Sequence, residues 1–401
     1  MAKNSMKPQI RFKGFTDAWE QRKLGSMVYR TNEMSDIDGL PRVEYEDIEA
    51  GQGTLNKDLK EKVSTKKGIV FQYGDILYGK LRPYLKNWLF AWFSGIAVGD
   101  FWVLRSNLVS HSFIYRLVQT PAFDYIANQS TGSKMPRADW NLVSNSEFTL
   151  PLSTEEQEAI GQIFLKLDNL ITLHQRKYEK FVNMKKALLE KMFPQGDEKV
   201  PRIRFKGFTD AWEQRKLGEV AQSFEYGLNV AAKEYDGINK YLRITDIDDV
   251  SRKFDTDNLT SPDTELAAVE NYRLVDGDIL FARTGASVGK SYIYRVSDGL
   301  VYFAGFLIRA KIKPEYDAEF VFQNTLSESY EKYVQITSQR SGQPGVNAQE
   351  YSDYVFYLPT YDEQQKIGAF LRNLDNFITL HQRQVEKLKN IKSALLEKMF
   401  V

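Results

Sequence analysis

The sequence predicts an α+β protein with a pseudo-twofold internal repeat: two α/β domains joined by two long coiled-coil helices, the antiparallel pairing of which is implied by a family resemblance given below. Three observations predict it. Residues 10–25 and 203–218 are the same sixteen letters, IRFKGFTDAWEQRKLG. LDNLITLHQR at 167–176 returns as LDNFITLHQR at 374–383, and ALLEKMF occurs at both 187–193 and 394–400. The stretches between, 26–150 and 219–358, differ in letters but follow one order of strand-like and helix-like segments. A long repeat decides architecture before any local feature does. The expected division is 1–150 for the first α/β domain, with its lead-in segment 10–25, and 151–195 for the first long helix. The second domain takes 196–358, with lead-in segment 203–218, and the second long helix 359–401.

Each lead-in segment reads as a short helix. Asp17 with Glu20, and Asp210 with Glu213, have capping-box spacing. Phe12, Phe15, Trp19 and Leu24, repeated as Phe205, Phe208, Trp212 and Leu217, are apolar anchors that suit packing at a domain edge. Nothing in this unit suggests chemistry.

In the first insert, 42–48, 68–80 and 101–106 read as strands, rich in β-branched and aromatic residues. The stretch 111–130 is helix-like and broken at Pro121. In the second, 241–247, 272–284, 291–296 and 304–313 read as strands and 320–339 as a helix. GDILYG (74–79) stands against GDILFA (277–282), and Gly132 against Gly342, so the two inserts are expected to share one fold with different surfaces.

The long helices follow Pro151 and Pro359. Ser153 with Glu156, and Thr360 with Glu363, give each a capping box. The first stops near Phe193, before Pro194 and Gly196. About 38 residues at ~1.5 Å each make a rod of roughly 57 Å. Ile160, Leu167, His174, Phe181 and Leu188 fall seven apart on the first, and Ile367, Leu374, His381, Leu388 and Leu395 on the second. Two such stripes bury each other most simply, with apolar flanks left for a partner helix. His174 and His381 read as polar seam residues that fix register; a pH switch or metal pair lacks a third ligand.

Composition bounds the function. The chain has 401 residues, 42% hydrophobic and 27% charged, ordinary for a globular protein with two or more cored domains. It has no cysteine, which excludes disulfides, thiolate metal sites and cysteine nucleophiles and fits a reducing, cytoplasmic setting. No apolar run approaches the ~20 residues of a membrane span, and the first fifteen residues lack the apolar stretch of a secretory signal. The net charge is +1, while a lone DNA binder is usually more basic. If DNA is the ligand, positive charge must be local or come from a partner.

No catalytic constellation is visible. TGASVGKS (284–291) resembles a phosphate loop but has Thr284 where that motif needs glycine. With three histidines and neither HExxH nor GxSxG, zinc centres and hydrolase triads are unsupported, so neither catalytic nor metal residues are expected. What remains are loops mixing basic, amide and aromatic side chains, the types that meet phosphates and base edges. The candidates in the first insert are Lys80, Arg82, Tyr84, Lys86, Lys134 and Arg137. In the second they are Arg243, Arg283, Thr284, Lys290, Arg340, Gln343 and Asn347. Each loop alone is ordinary solvated turn; their matched places in both inserts favour DNA.

Taken together, the F-x-x-F-x-x-x-W segments ending in K-L-G, the GDIL turns, YLRITDI and the two E-Q-x-x-I-G helices (Glu156 to Gly161, Glu363 to Gly368) have a counterpart. Over nearly its whole length the chain resembles the specificity subunit of a type I restriction-modification system. That resemblance implies that each insert is a target recognition domain for one half of a bipartite double-stranded DNA site. It implies that the helices set the spacing and dock two modification (methyltransferase) subunits, joined by restriction (translocase and nuclease) subunits. No cofactor is then expected on this chain; S-adenosylmethionine, ATP and Mg belong to the partners. Two other readings stay open: a coiled-coil protein–protein adaptor without DNA readout, and an NTPase using 284–291.

Overall fold

The computed structural model describes residues 7–59, 64–129, 135–196, 198–339 and 342–401. By packing, the chain forms two compact units: Met1–His174 with Gln384–Val401, and Gln175–Arg383. The helices Thr154–Met192 and Tyr361–Lys398 therefore each give one half to each unit. In either unit the opening half of one helix packs with the closing half of the other, which makes the pair antiparallel. Among the described residues, no helix is long and apolar enough to cross a membrane.

Each unit is built on a four-stranded antiparallel sheet of the same order. In the first it runs Tyr29–Thr31, Phe101–Arg105, Ile76–Gly79, Trp88–Phe90. In the second it runs Ala221–Tyr226, Leu307–Ile312, Ile279–Ala282, Ser291–Ile293. The GDIL motif explains the shared start of the central strand. Gly74 and Gly277 take left-handed φ values of 91° and 86°, which only glycine adopts cheaply. The following Asp75 and Asp278 accept the amide hydrogens of Gln72 and Val275 at 2.8 and 3.0 Å, closing the turn. One sheet face carries helices: His111–Leu117 and Pro121–Ala127 in the first unit, Ala318–Asn324 and Glu328–Thr337 in the second.

The lead-in segments are not helices. Glu20–Lys23 pairs antiparallel with Glu147–Leu150, and Glu213–Lys216 with Val355–Leu358. The local cap signal loses to a ladder with a strand far away in sequence. The capping boxes expected on the long helices are also incomplete. The amide of Glu156 does donate to Ser153 Oγ at 3.2 Å, but its carboxylate turns to Arg11 and Trp19. Residues 68–80 form two strands, Gly68–Phe71 and Ile76–Gly79, in different sheets. Strand 42–48 shrinks to Arg42–Val43 and strand 241–247 to Asn239–Leu242. Each is followed by a tight turn held by Asp47 or Asp246. The expected strand 272–284 is ordered as a strand only at Ile279–Ala282. The expected helix 320–339 is two helices, parted at Ser327, which caps the second.

The repeated sequences pack against one another. In the first unit, Arg11 forms a double hydrogen bond with the buried carboxylate of Glu156, at 2.6 and 2.8 Å. In the second, Arg204 does the same with Glu363, at 2.7 and 2.8 Å. Gln157 bridges the Ser110 amide and the Pro151 carbonyl; Gln364 bridges the Asp317 amide and the Pro359 carbonyl. Ile160 and Ile367 are fully buried. A Cβ on Gly161 would lie 2.0 Å from Ser112 Oγ, and one on Gly368 2.6 Å from Asp317 Oδ1, so both glycines are needed for close helix approach. The ALLEKMF tails complete the frame. Phe400 meets Trp19 edge-on at 6.4 Å, and Phe193 meets Trp212 at 6.3 Å. The amide of Ile10 donates to Lys398 O, and that of Ile203 to Lys191 O. These contacts of one frame are remade in the other; the hydrogen bond from Trp19 Nε1 to Glu156 is an exception, without a counterpart at Trp212.

Candidate nucleic-acid interface

The central strand of each sheet ends at a loop that pairs with a second loop in the same way in both units. In the first, the Ala138 amide donates to Lys80 O, and the Arg82 amide to Pro136 O. In the second, the Val346 amide donates to Arg283 O, and the Gly285 amide to Pro344 O. The isolated bridges Leu81 with Arg137 and Thr284 with Gly345 complete the match. A third strand joins: the Lys80 amide donates to Asp100 O and the Arg283 amide to Phe306 O. Lys80 therefore stands where Arg283 stands, Arg137 where Gly345 does, and Asp100 where Phe306 does. The helices that follow are capped alike, by Asp139 and Asn347.

The side chains on these edges differ. Asp100 takes Arg137 Nη2 at 3.1 Å and Lys80 Nζ at 3.4 Å, all three partly or well exposed. Tyr45 supports them from behind, stacked on Phe101 at 4.6 Å, and its hydroxyl accepts the Leu81 amide. Burial pushes the Tyr45 hydroxyl pKa up, so it stays a neutral hydrogen-bonding group. Arg82, Tyr84 and Lys86 lie on a short turn, with Tyr84 54% exposed. Arg82 and Lys86 have φ of 50° and 56°; among the described residues only Arg252 is another non-glycine in that region. Each such residue costs about 1–3 kcal/mol, a strain that gathers at functional loops. Lys86 leans towards Asp124, 3.7 Å away.

In the second unit, the Arg283 guanidinium lies 4.9 Å from the centre of the Tyr226 ring. Thr284 follows it in the chain, and the exposed Gln343 lies next to Gly285. Three other candidates are engaged elsewhere. Lys290 is not turned outward: it is ion-paired with Asp249 and only 16% exposed. Its loop leads into strand Ser291–Ile293 and not into a helix, as a phosphate loop would. Arg243 donates two hydrogen bonds to Asp246, at 2.8 and 2.9 Å, which raise its pKa and hold the turn. Asn347 spends its carbonyl on the helix cap. Lys134 and Arg340 lie outside the described residues.

Sequence reasoning missed Asp100, Tyr226 and Phe306. A signal was present: Asp100 and Phe306 each directly precede a strand, FWVLR or LIRAKI. Only the register showed that those strands meet the GDIL strand at its loop end.

The coiled-coil residues divide by burial. Ile160, Leu167, Ile367, Leu374 and His381 are buried, while His174, Phe181, Leu188, Leu388 and Leu395 are half-buried. His381 stacks on Phe181 at 5.6 Å. Among the described residues, no cluster of His, Asp and Glu suits a metal ion. Two part-buried ion pairs sit at repeat-equivalent places: Lys185 with Asp375 at 2.5 Å, and Lys392 with Asp168 at 2.7 Å. Burial pushes both lysine pKa values down, against the attraction of the carboxylates. Breaking such a pair strands a part-buried charge, so each pins the register of its half of the helix pair. An apolar flank stays exposed in both copies: Leu170 and Phe377, Leu173 and Leu380, Met184 and Ile391.

The fold is thus a frame built twice, carrying two loop edges with the same backbone bonding and unlike side chains. Residues 209–390 match the family described as type I restriction modification DNA specificity domain. The type I restriction enzyme MjaVIII specificity subunit of Methanocaldococcus jannaschii is 24% identical over 68% of this chain and 65% of its own length. The type I restriction enzyme EcoDI specificity subunit of Escherichia coli is 26% identical over 31% of this chain and 28% of its own. The chain thus spans less than two thirds of either relative. The crystal structure of the type I restriction-modification system S subunit from M. genitalium superposes with a TM-score of 0.61 at 15% identity, covering 99% of both chains, and so shares the fold.

Proposed function

We propose that this chain selects the DNA site for a type I restriction-modification assembly and does no chemistry itself. Each insert is a target recognition domain that reads one half of a bipartite, asymmetric double-stranded site. The loops carrying Lys80, Arg82, Tyr84 and Arg137 serve the first half, and those carrying Arg283, Thr284 and Gln343 the second. The antiparallel helices act as a ruler between the readers, since half-sites must be met at a set phase along the duplex. The apolar flank, present once in each repeat, takes two copies of one methyltransferase subunit; restriction subunits join them. S-adenosylmethionine, ATP and Mg are carried by those partners, which also supply the clamping charge that a chain of net charge +1 lacks. The setting is the cytoplasm.

One observation carries this reading. Two identical frames hold two edges with the same backbone bonding and different side chains, which is what a device for two different half-sites requires. The test is methylation mapping of a methylation-free host that expresses the chain with its modification subunits. A split motif with two unlike halves and a fixed gap is the expected result. A stable complex that modifies nothing would favour the adaptor without DNA readout.

A further inference from the structure

We infer that Phe306 is a specificity-determining residue of the second insert and contacts the 5-methyl group of a thymine in the major groove. The inference rests on the DNA reading above and adds a base and an atom to it. Phe306 is 60% exposed although the next residue, Leu307, is fully buried. The sheet core is filled without it, so packing does not account for an aromatic ring there. Its carbonyl accepts the Arg283 amide, which makes it the cross-strand partner of Arg283 and puts both side chains on one face. Arg283 is held over Tyr226, so the phenyl ring stands beside a positioned cation.

The equivalent position in the first insert shows that the fold asks for no aromatic. Asp100 stands there and is bound to Lys80 and Arg137. A carboxylate and a phenyl ring at the same backbone site meet opposite kinds of surface. Among the groups on a major-groove base edge, the thymine methyl is the apolar one, and phenylalanine is a side chain that meets it.

The test uses the complex of this chain with its modification subunits and synthetic duplexes carrying the mapped site. Each second-half thymine is replaced in turn by deoxyuridine, which removes the methyl and nothing else. The wild-type complex is expected to bind roughly fourfold more weakly at one such position, the effect of one lost methyl contact. Phe306→Ala is expected to bind the two duplexes equally, and Phe306→Leu to keep part of the difference. Reading of the first half, unchanged in both variants, checks that they fold. Indifference of the wild type to every replacement, a half-site without thymine, or a penalty that survives in Phe306→Ala would overturn the inference alone. Failure of the wild-type complex to prefer any bipartite duplex would instead sink the DNA reading beneath it.

Discussion

In the first insert, Asp100 pairs with both Lys80 and Arg137, so the cluster keeps a net positive charge. In the second, Arg283 faces Phe306 and lies over Tyr226. The backbone bonds that hold these two edges correspond one for one, down to Pro136 O and Pro344 O accepting from Arg82 and Gly285. The difference teaches where the fold keeps its constancy. Side chains that face the frame are repeated nearly letter for letter, and those that face outward at the strand ends are not. On the proposed function, stability and recognition rest on separate residues.

That separation can be attacked from its strongest point. Glu156→Ala and Glu363→Ala each leave a largely buried arginine without its carboxylate, at about 3–5 kcal/mol of unit stability. Both should lower the melting temperature, Glu156→Ala slightly more because Trp19 Nε1 also loses its acceptor. A large drop in one and none in the other would break the claim that the frames are equivalent. Next comes Gly368→Ala, where the new methyl would press on Asp317 Oδ1 and the Phe320 amide at 2.6 and 3.0 Å. Overpacking should cost about 1–3 kcal/mol, exceeding alanine's helix advantage. Chemical denaturation of the variant would show it.

Recognition changes should act on one half only. Arg283→Ala is expected to weaken binding by about 1–3 kcal/mol at the second half-site and leave the first intact. Duplexes mutated in either half, titrated against the assembled complex, separate the two effects. The smallest effect is expected from Asn347→Ala, about 1 kcal/mol of stability through its lost helix cap and no change in the DNA motif. A changed motif would move Asn347 from scaffold to reader.

The repeats, the long helices, the apolar seam and the common order of the inserts were legible in the letters. So were the loops after Gly79 and Ala282, because GDIL is a glycine turn with its own cap. The lead-in strands were not. Asp17 and Glu20 have helix-cap spacing, and only Glu147–Leu150, over a hundred positions later, draws that segment into a ladder. The register pairs Lys185–Asp375 and Lys392–Asp168 were hidden for the same reason, since a part-buried ion pair between distant helices leaves no local pattern. Lys290 and Arg243 read as DNA-binding candidates, and no local pattern showed that Asp249 and Asp246 pair with them.

The most direct test of separate frame and reader is to put the first insert, residues 26–150, in place of the second, residues 219–358, and map methylation with the modification subunits present. The account predicts a symmetric site, two inverted copies of the natural first half with the natural gap. An asymmetric site, or a folded and assembled complex that modifies no sequence, would contradict it.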